Sequence, residues 1–119
     1  AATYTPLDPT IPSELRVLEK LLEDHHAICV VFGGPMTVFY REHDPELIST
    51  HGTLCSRFMD RDALMHCPVP RHAIMLLGLE NARVEFLDPY HESQQQPLFM
   101  NMEIFACAAS TEFWFFARA

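Results

Sequence analysis

A chain of 119 residues, 49% hydrophobic and with nine Phe, has the length and apolar content of one globular domain around a single core. Its net charge of −8, with Lys20 the sole lysine, excludes the clustered Lys and Arg that phosphate-backbone binding needs, so no nucleic acid partner is expected. No apolar run approaches the ~18 residues of a membrane span, and the first residues lack the basic and apolar regions of a signal peptide, so the expectation is a cytoplasmic domain without a membrane span.

Residues 1–12 hold Pro6, Pro9 and Pro12 and show little periodicity; they read as an extended arm or linker ahead of a domain over 13–119. Pro12-Ser13-Glu14 predicts a helix start, with Ser13 as N-cap and Glu14 at the positive end of the dipole. Leu15, Leu18, Leu21 and Leu22 fall on one face while Arg16, Glu19, Lys20 and Glu23 face out, the spacing of an amphipathic helix packed on a sheet. With no Cys, Ser or Thr after Ser13, this helix is a poor place for a nucleophile. His25 and His26 suit its negative end.

Residues 27–32 form a continuous apolar run and predict a buried strand, with Gly33-Gly34-Pro35 as a turn and residues 36–40 as a second strand. The glycine pair has no phosphate-loop lysine beside it, which favours a hairpin turn over an anion site. Cys29 sits in the middle of the first of these strands. A reactive thiol gains its low pKa at a helix start, so Cys29 reads as a packed core residue first and a nucleophile second.

Residues 41–71 are the least regular stretch, broken by Asp44-Pro45 and Pro68-Val69-Pro70, with a short helix predicted over 54–65. Metal-ligand types are present here in His51, Cys55, His66 and Cys67, followed by His72. Their spacing matches neither a Cys-x-x-Cys knuckle nor a His-Glu-x-x-His helix, and no metal or other cofactor is expected. Cys29, Cys55, Cys67 and Cys107 are read as reduced thiols.

Residues 73–77 and 83–87 are two strand-like runs separated by Gly78-Leu79-Glu80-Asn81-Ala82, whose Gly and Asn suit a reversal, so the stretch from His72 to Tyr90 predicts a β-hairpin. The first run is apolar throughout, as a strand buried on both faces is; the second alternates. His72 opens one strand and Asp88 closes its partner, so antiparallel pairing brings together two residues sixteen apart in sequence. An imidazole beside a carboxylate is the base-and-orienter half of a Cys-His-Asp or Ser-His-Asp site. The alternative is a hairpin with a capping Asp and a polar His at its strand ends. Pro89 ends the strand and restricts the backbone that carries the carboxylate. Residues 90–98 form a Gln-rich loop with His91 as a second histidine near the pair. Residues 99–109 are helix-compatible, and residues 111–118, with Phe113, Trp114, Phe115 and Phe116 in a row, predict a strand that closes the sheet or meets a partner.

The pattern His72-Ala73-Ile74, then apolar residues and Gly78, then an apolar strand ending in Asp88-Pro89, resembles the second half of the papain-like peptidases that remove double-glycine leaders from bacteriocins. There the His opens the strand and the Asp of Asp-Pro orients it. The likeness in element order covers roughly Leu15 to Arg118, with residues 99–109 similar to that family's short helix, residues 112–118 to its closing strand, and residues 41–71 as an insertion. Only His72 and Asp88 match its functional residues. Transglutaminase-like folds and ubiquitin-like-modifier proteases carry similar patterns; the latter place a His directly after Asp-Pro, whereas Tyr90 intervenes before His91 here. The family's nucleophilic Cys-Gly at an early helix and its preceding Gln have no counterpart, since the only glutamines are Gln94, Gln95 and Gln96.

The resemblance implies a small α+β, papain-like domain with a mainly antiparallel sheet and flanking helices. It further implies a cysteine-peptidase-like hydrolase or transferase acting on a peptide or protein, with His72 as general base, Asp88 as its orienter and the nucleophile missing, differently placed or supplied by a second chain. Two other expectations stand beside it: an inactive peptidase-like module that binds a peptide or protein, and a deamidase or transglutaminase-like effector using Cys29.

Overall fold

A computed structural model of the chain describes residues 1–43, 59–89 and 96–118. Their elements run β1 (Thr3–Tyr4), α1 (Pro12–Leu22), β2 (His25–Phe32), α2 (Gly33–His43), α3 (Arg61–Met65), β3 (Arg71–Glu80), β4 (Arg83–Leu87), β5 (Leu98–Asn101), α4 (Met102–Ala108) and β6 (Ala109–Ala117). The six strands make one antiparallel sheet in the order β1-β6-β2-β3-β4-β5, accompanied by four helices among the described residues. The fold is α+β, as the order of elements predicts.

Strand alternation sets the core. Ala27, Cys29 and Val31 of β2, His72, Ile74 and Leu76 of β3, Val84 and Phe86 of β4, and Phe113 and Phe115 of β6 are buried on one face. They join Leu18 and Leu22 of α1, Met36 and Phe39 of α2, Leu64 of α3 and Phe105 of α4 in a single cluster. The opposite face stays open, with Ile28 and Ala73 exposed and Met75 half-buried. β3 is therefore buried on one side only, not on both as its apolar run predicts. On its outer side Ala73 is exposed, and Met75 and Leu77 are only half-buried.

The largest departure follows β2. Gly33-Gly34-Pro35 opens helix α2 instead of a turn, and Met36 to Tyr40 lie within that helix instead of a second strand. Pro35 fits the first helical turn, where its missing N–H has no intrahelical role, and Thr37 Oγ1 donates to Gly33 O at 2.7 Å. Every residue from Gly33 to Tyr40 is buried. A helix wrapped on all sides has no polar face, so its sequence is a continuous apolar run that period alone does not separate from a strand. Gly34 is required by close approach: a Cβ there would lie 2.1 Å from Leu64 O and 2.7 Å from Cys67 O at the end of α3.

Smaller differences have local causes. Ile11, not Ser13, occupies the N-cap of α1; Pro12 supplies the first helical residue, and Glu14 Oε1 accepts the Asp8 N–H at 3.1 Å. Thr3–Tyr4 pair with β6, and Leu7 is buried. The β3–β4 reversal is a two-residue turn, Asn81-Ala82, with φ of 54° and 58° between the paired Glu80 and Arg83, tighter than the five-residue link the sequence predicts. Gly78 belongs to β3, beside a register shift. Residues 98–101, predicted in part as helix, alternate in and out as β5, and α4 starts only where Asn101 Oδ1 caps Ile104 N–H at 2.9 Å. Asp60 caps α3 in the same way, through Ala63 N–H at 2.8 Å. The first part of the helix predicted over 54–65, and much of the expected insertion, lie outside the described residues. Among the described residues no helix is long and apolar enough to cross a membrane.

Candidate functional site

Met75 of β3 stands opposite Leu87 of β4, which sets Asp88 opposite Ile74 on the buried face. His72 lies on the same face one alternation earlier, within the diagonal reach of cross-strand neighbours. His72 Nε2 and Asp88 Oδ1 are 2.7 Å apart, with the side chains 6% and 0% exposed. The two residues singled out in the sequence are therefore brought together. An ionised carboxylate only accepts hydrogen bonds, so this geometry assigns the proton of a neutral ring to Nε2 and its lone pair to Nδ1.

A third residue joins the contact. Tyr40, in the second half of α2, donates its hydroxyl to Asp88 Oδ2 at 2.5 Å across 48 residues of sequence. The first residue of the same helix ties to the segment just before β3, where Gly33 N–H donates to Pro70 O at 2.6 Å. Among the described residues no buried side-chain nitrogen or oxygen lacks a partner, as the desolvation cost of such groups requires. Tyr40 was not singled out in the sequence because its segment reads as strand. The signal available was the Gly-Gly-Pro opening, which also begins a helix; nothing in the local pattern points to a carboxylate so far along the chain.

The candidate nucleophiles are placed differently. Cys29 stands opposite Ile74, on the same buried face as His72, with its thiol directed to Val30 O at 3.4 Å. Burial pushes the Cys29 thiol far above its ordinary range, which keeps it protonated at neutral pH. Cys67 is half-buried, 3.3 Å from Val69 O, and Cys107 is half-buried on α4. Cys55 and His91 lie outside the described residues.

No group of three or more His, Cys, Asp or Glu suited to a metal ion occurs among the described residues. His66 is exposed and sits 3.8 Å from Asp62, while His51 lies outside the described residues. His25 Nδ1 meets Leu21 O at 3.2 Å, in the last turn of α1. His26 instead packs edge-on against Phe116, at 6.0 Å between ring centres. An apolar groove of about 310 Å³ lies on the open face of the sheet, lined by Ile28, Ala73, Met75, Leu87 and Pro89 and reaching Asp88.

Comparison of the chain with protein-family models, with curated proteins and with solved structures found no match.

Proposed function

We propose that this domain is a papain-like, cysteine-peptidase-like hydrolase or transferase. It acts on a peptide or amide bond of a peptide or protein in the reducing cytoplasm, with His72 as general base and Asp88 as its orienter. The observation that carries this reading is the buried 2.7 Å contact between His72 Nε2 and Asp88 Oδ1. With Nε2 committed to the carboxylate, Nδ1 is the basic nitrogen. It takes the proton of a nucleophile as that nucleophile attacks the carbonyl carbon, and returns it to the leaving amine as the C–N bond breaks. Asp88 stabilises the imidazolium formed between the two steps. The nucleophile is missing, placed elsewhere in this chain than at Cys29, or supplied by a second chain.

A second reading is favoured by one specific observation. Cys29, among the described residues the one strand thiol on the buried face with His72, is held protonated, which fits a module that keeps a peptidase-like frame and binds a peptide or protein without cutting it. One experiment separates the two. A library of internally quenched peptides is incubated with the unaltered protein and with His72→Ala, and capture of the same peptides is measured by fluorescence anisotropy. Hydrolysis that falls by about 10²-fold or more in the variant supports the base. Turnover equal in both proteins refutes it, and capture without turnover in either protein establishes the binding module.

A further inference from the structure

A carboxylate that orients an imidazole must itself be held. The backbone before and after Asp88 is set by the end of β4 and by Pro89, whose ring fixes φ. The Asp side chain keeps its own torsions, and the last of these is broad and roughly two-fold. One hydrogen bond leaves a carboxylate plane able to rotate about that contact, and a second bond to its other oxygen opposes that rotation. Functional geometry tolerates only about 0.5 Å of such freedom.

We propose that Tyr40 is a positioning residue that fixes the Asp88 carboxylate so that Oδ1 faces His72 Nε2. The inference rests on the reading of His72 and Asp88 as a base and its orienter. Three observations support it. The 2.5 Å separation from Oδ2 is that of a charge-assisted O–H···O⁻ bond, shorter and stronger than a neutral one. The tyrosine ring is fully buried and packs against Phe39 with centroids 5.1 Å apart, so the hydroxyl has little room to swing. The helix that carries Tyr40 is anchored at its first residue to Pro70, two residues before His72. One rigid element, about 10 Å long between Gly33 and Tyr40, thereby fixes the approach to His72 at one end and the carboxylate of Asp88 at the other. A hydroxyl that merely satisfied a buried acceptor would need neither the anchored helix nor the bond to the second oxygen of an orienting carboxylate.

The test needs no substrate. Protein with ¹⁵N-labelled histidine is examined by NMR for the proton on His72 Nε2 and for its exchange with solvent. The comparison is with Tyr40→Phe, which keeps the ring and removes the donor, and with Phe39→Leu, which disturbs the same ring packing and keeps the hydroxyl. The expected result is exchange at least about tenfold faster in Tyr40→Phe, with the proton shared between Nε2 and Nδ1, and little change in Phe39→Leu. Exchange within about twofold of the unaltered protein in Tyr40→Phe, or equal acceleration in both variants, overturns the proposal. Global incorporation of 3-fluorotyrosine serves if Tyr40→Phe does not fold. A more acidic hydroxyl on Oδ2 weakens Oδ1 as an acceptor, so the His72 Nε2–H resonance moves upfield; an unmoved resonance refutes the coupling. A coupled His72 proton in a protein that cuts no peptide removes the hydrolase reading and leaves the role of Tyr40. Peptide hydrolysis with a His72 proton indifferent to Tyr40 does the reverse.

Discussion

Gly34→Ala separates two opposed effects by sign. In an ordinary helix interior, Ala is favoured over Gly by about 1 kcal/mol, so the change stabilises. At Gly34 the added methyl would meet Leu64 O at 2.1 Å, Cys67 Cβ at 2.6 Å and Cys67 O at 2.7 Å. Two of these three atoms are backbone, so neither a rotamer change nor a swing of a flexible side chain relieves them. The α2–α3 junction must open by more than about 1 Å to restore ordinary contact. Overpacking of this kind costs about 1–3 kcal/mol, and the backbone contacts put Gly34 at the upper end, well beyond the propensity gain. The measurement is urea unfolding followed by circular dichroism, with the midpoint expected to fall by on the order of 1 M at an unchanged slope. A midpoint that rises or stays in place refutes the close packing of α2 on α3. Because α2 carries Tyr40 to Asp88, the same variant is expected to speed exchange of the His72 Nε2 proton.

Asp88→Ala removes the acceptor shared by Tyr40 and His72 inside the core, and the expected loss is about 3–5 kcal/mol in the same unfolding assay, with Asp88→Asn less damaging because it keeps shape and one oxygen. Cys29, whose folded thiol is raised by burial, contributes stability that is complete below the ordinary thiol range. Above about pH 8.5 the unfolded chain ionises while the folded one does not, so stability falls by up to about 1.4 kcal/mol per pH unit, and Cys29→Ala flattens that slope. In native protein at pH 7, iodoacetamide mapped by mass spectrometry is expected to modify Cys67 or Cys107 before Cys29; rapid modification of Cys29 sinks the argument from burial. His26 has its folded pKa lowered by burial and by the Arg118 charge, so its contribution is present above the ordinary histidine range of about 6.5 and is lost on acidification through it; His26→Gln is expected to reduce the fall in stability between pH 7 and 5. Ala82→Gly is expected to stabilise by about 1 kcal/mol, since Ala82 sits at φ 58° in the hairpin turn and Asn-Gly suits that geometry.

The legible parts of this fold were those whose period belongs to one state alone. α1 shows a leucine stripe with charges opposite, and β4 alternates, so each declares both its conformation and its buried face. The His72–Asp88 contact was legible for the same reason: once β3 and β4 are recognised as a hairpin, antiparallel pairing sets residues sixteen apart side by side, and the two share a face because the number of alternations between them is fixed by the turn. The turn itself differs, two residues where five were predicted. The compensation is the register shift between Leu76 and Gly78, which takes up one residue and keeps His72 and Asp88 facing inward together. A slip by a single residue would have put one of them on the open face.

Helix α2 was illegible because burial on all sides erases the polar half of the pattern from Gly33 to Tyr40. The strand and helix alternatives differ only in long-range contacts: Gly34 against the end of α3, Gly33 on Pro70, Tyr40 on Asp88. Those contacts join residues 30 to 48 apart in sequence, and no local window contains both partners. They are also the contacts that hold the His72–Asp88 pair. A strand over residues 36–40 would point alternate residues to opposite faces and give Asp88 no tyrosine on a rigid support. The helix places Thr37 one turn before Tyr40, spends the Thr37 hydroxyl on Gly33 O, and leaves the tyrosine hydroxyl directed at the carboxylate. The part of the chain that pattern alone misassigns is thus the part that turns two strand-end residues into a held pair.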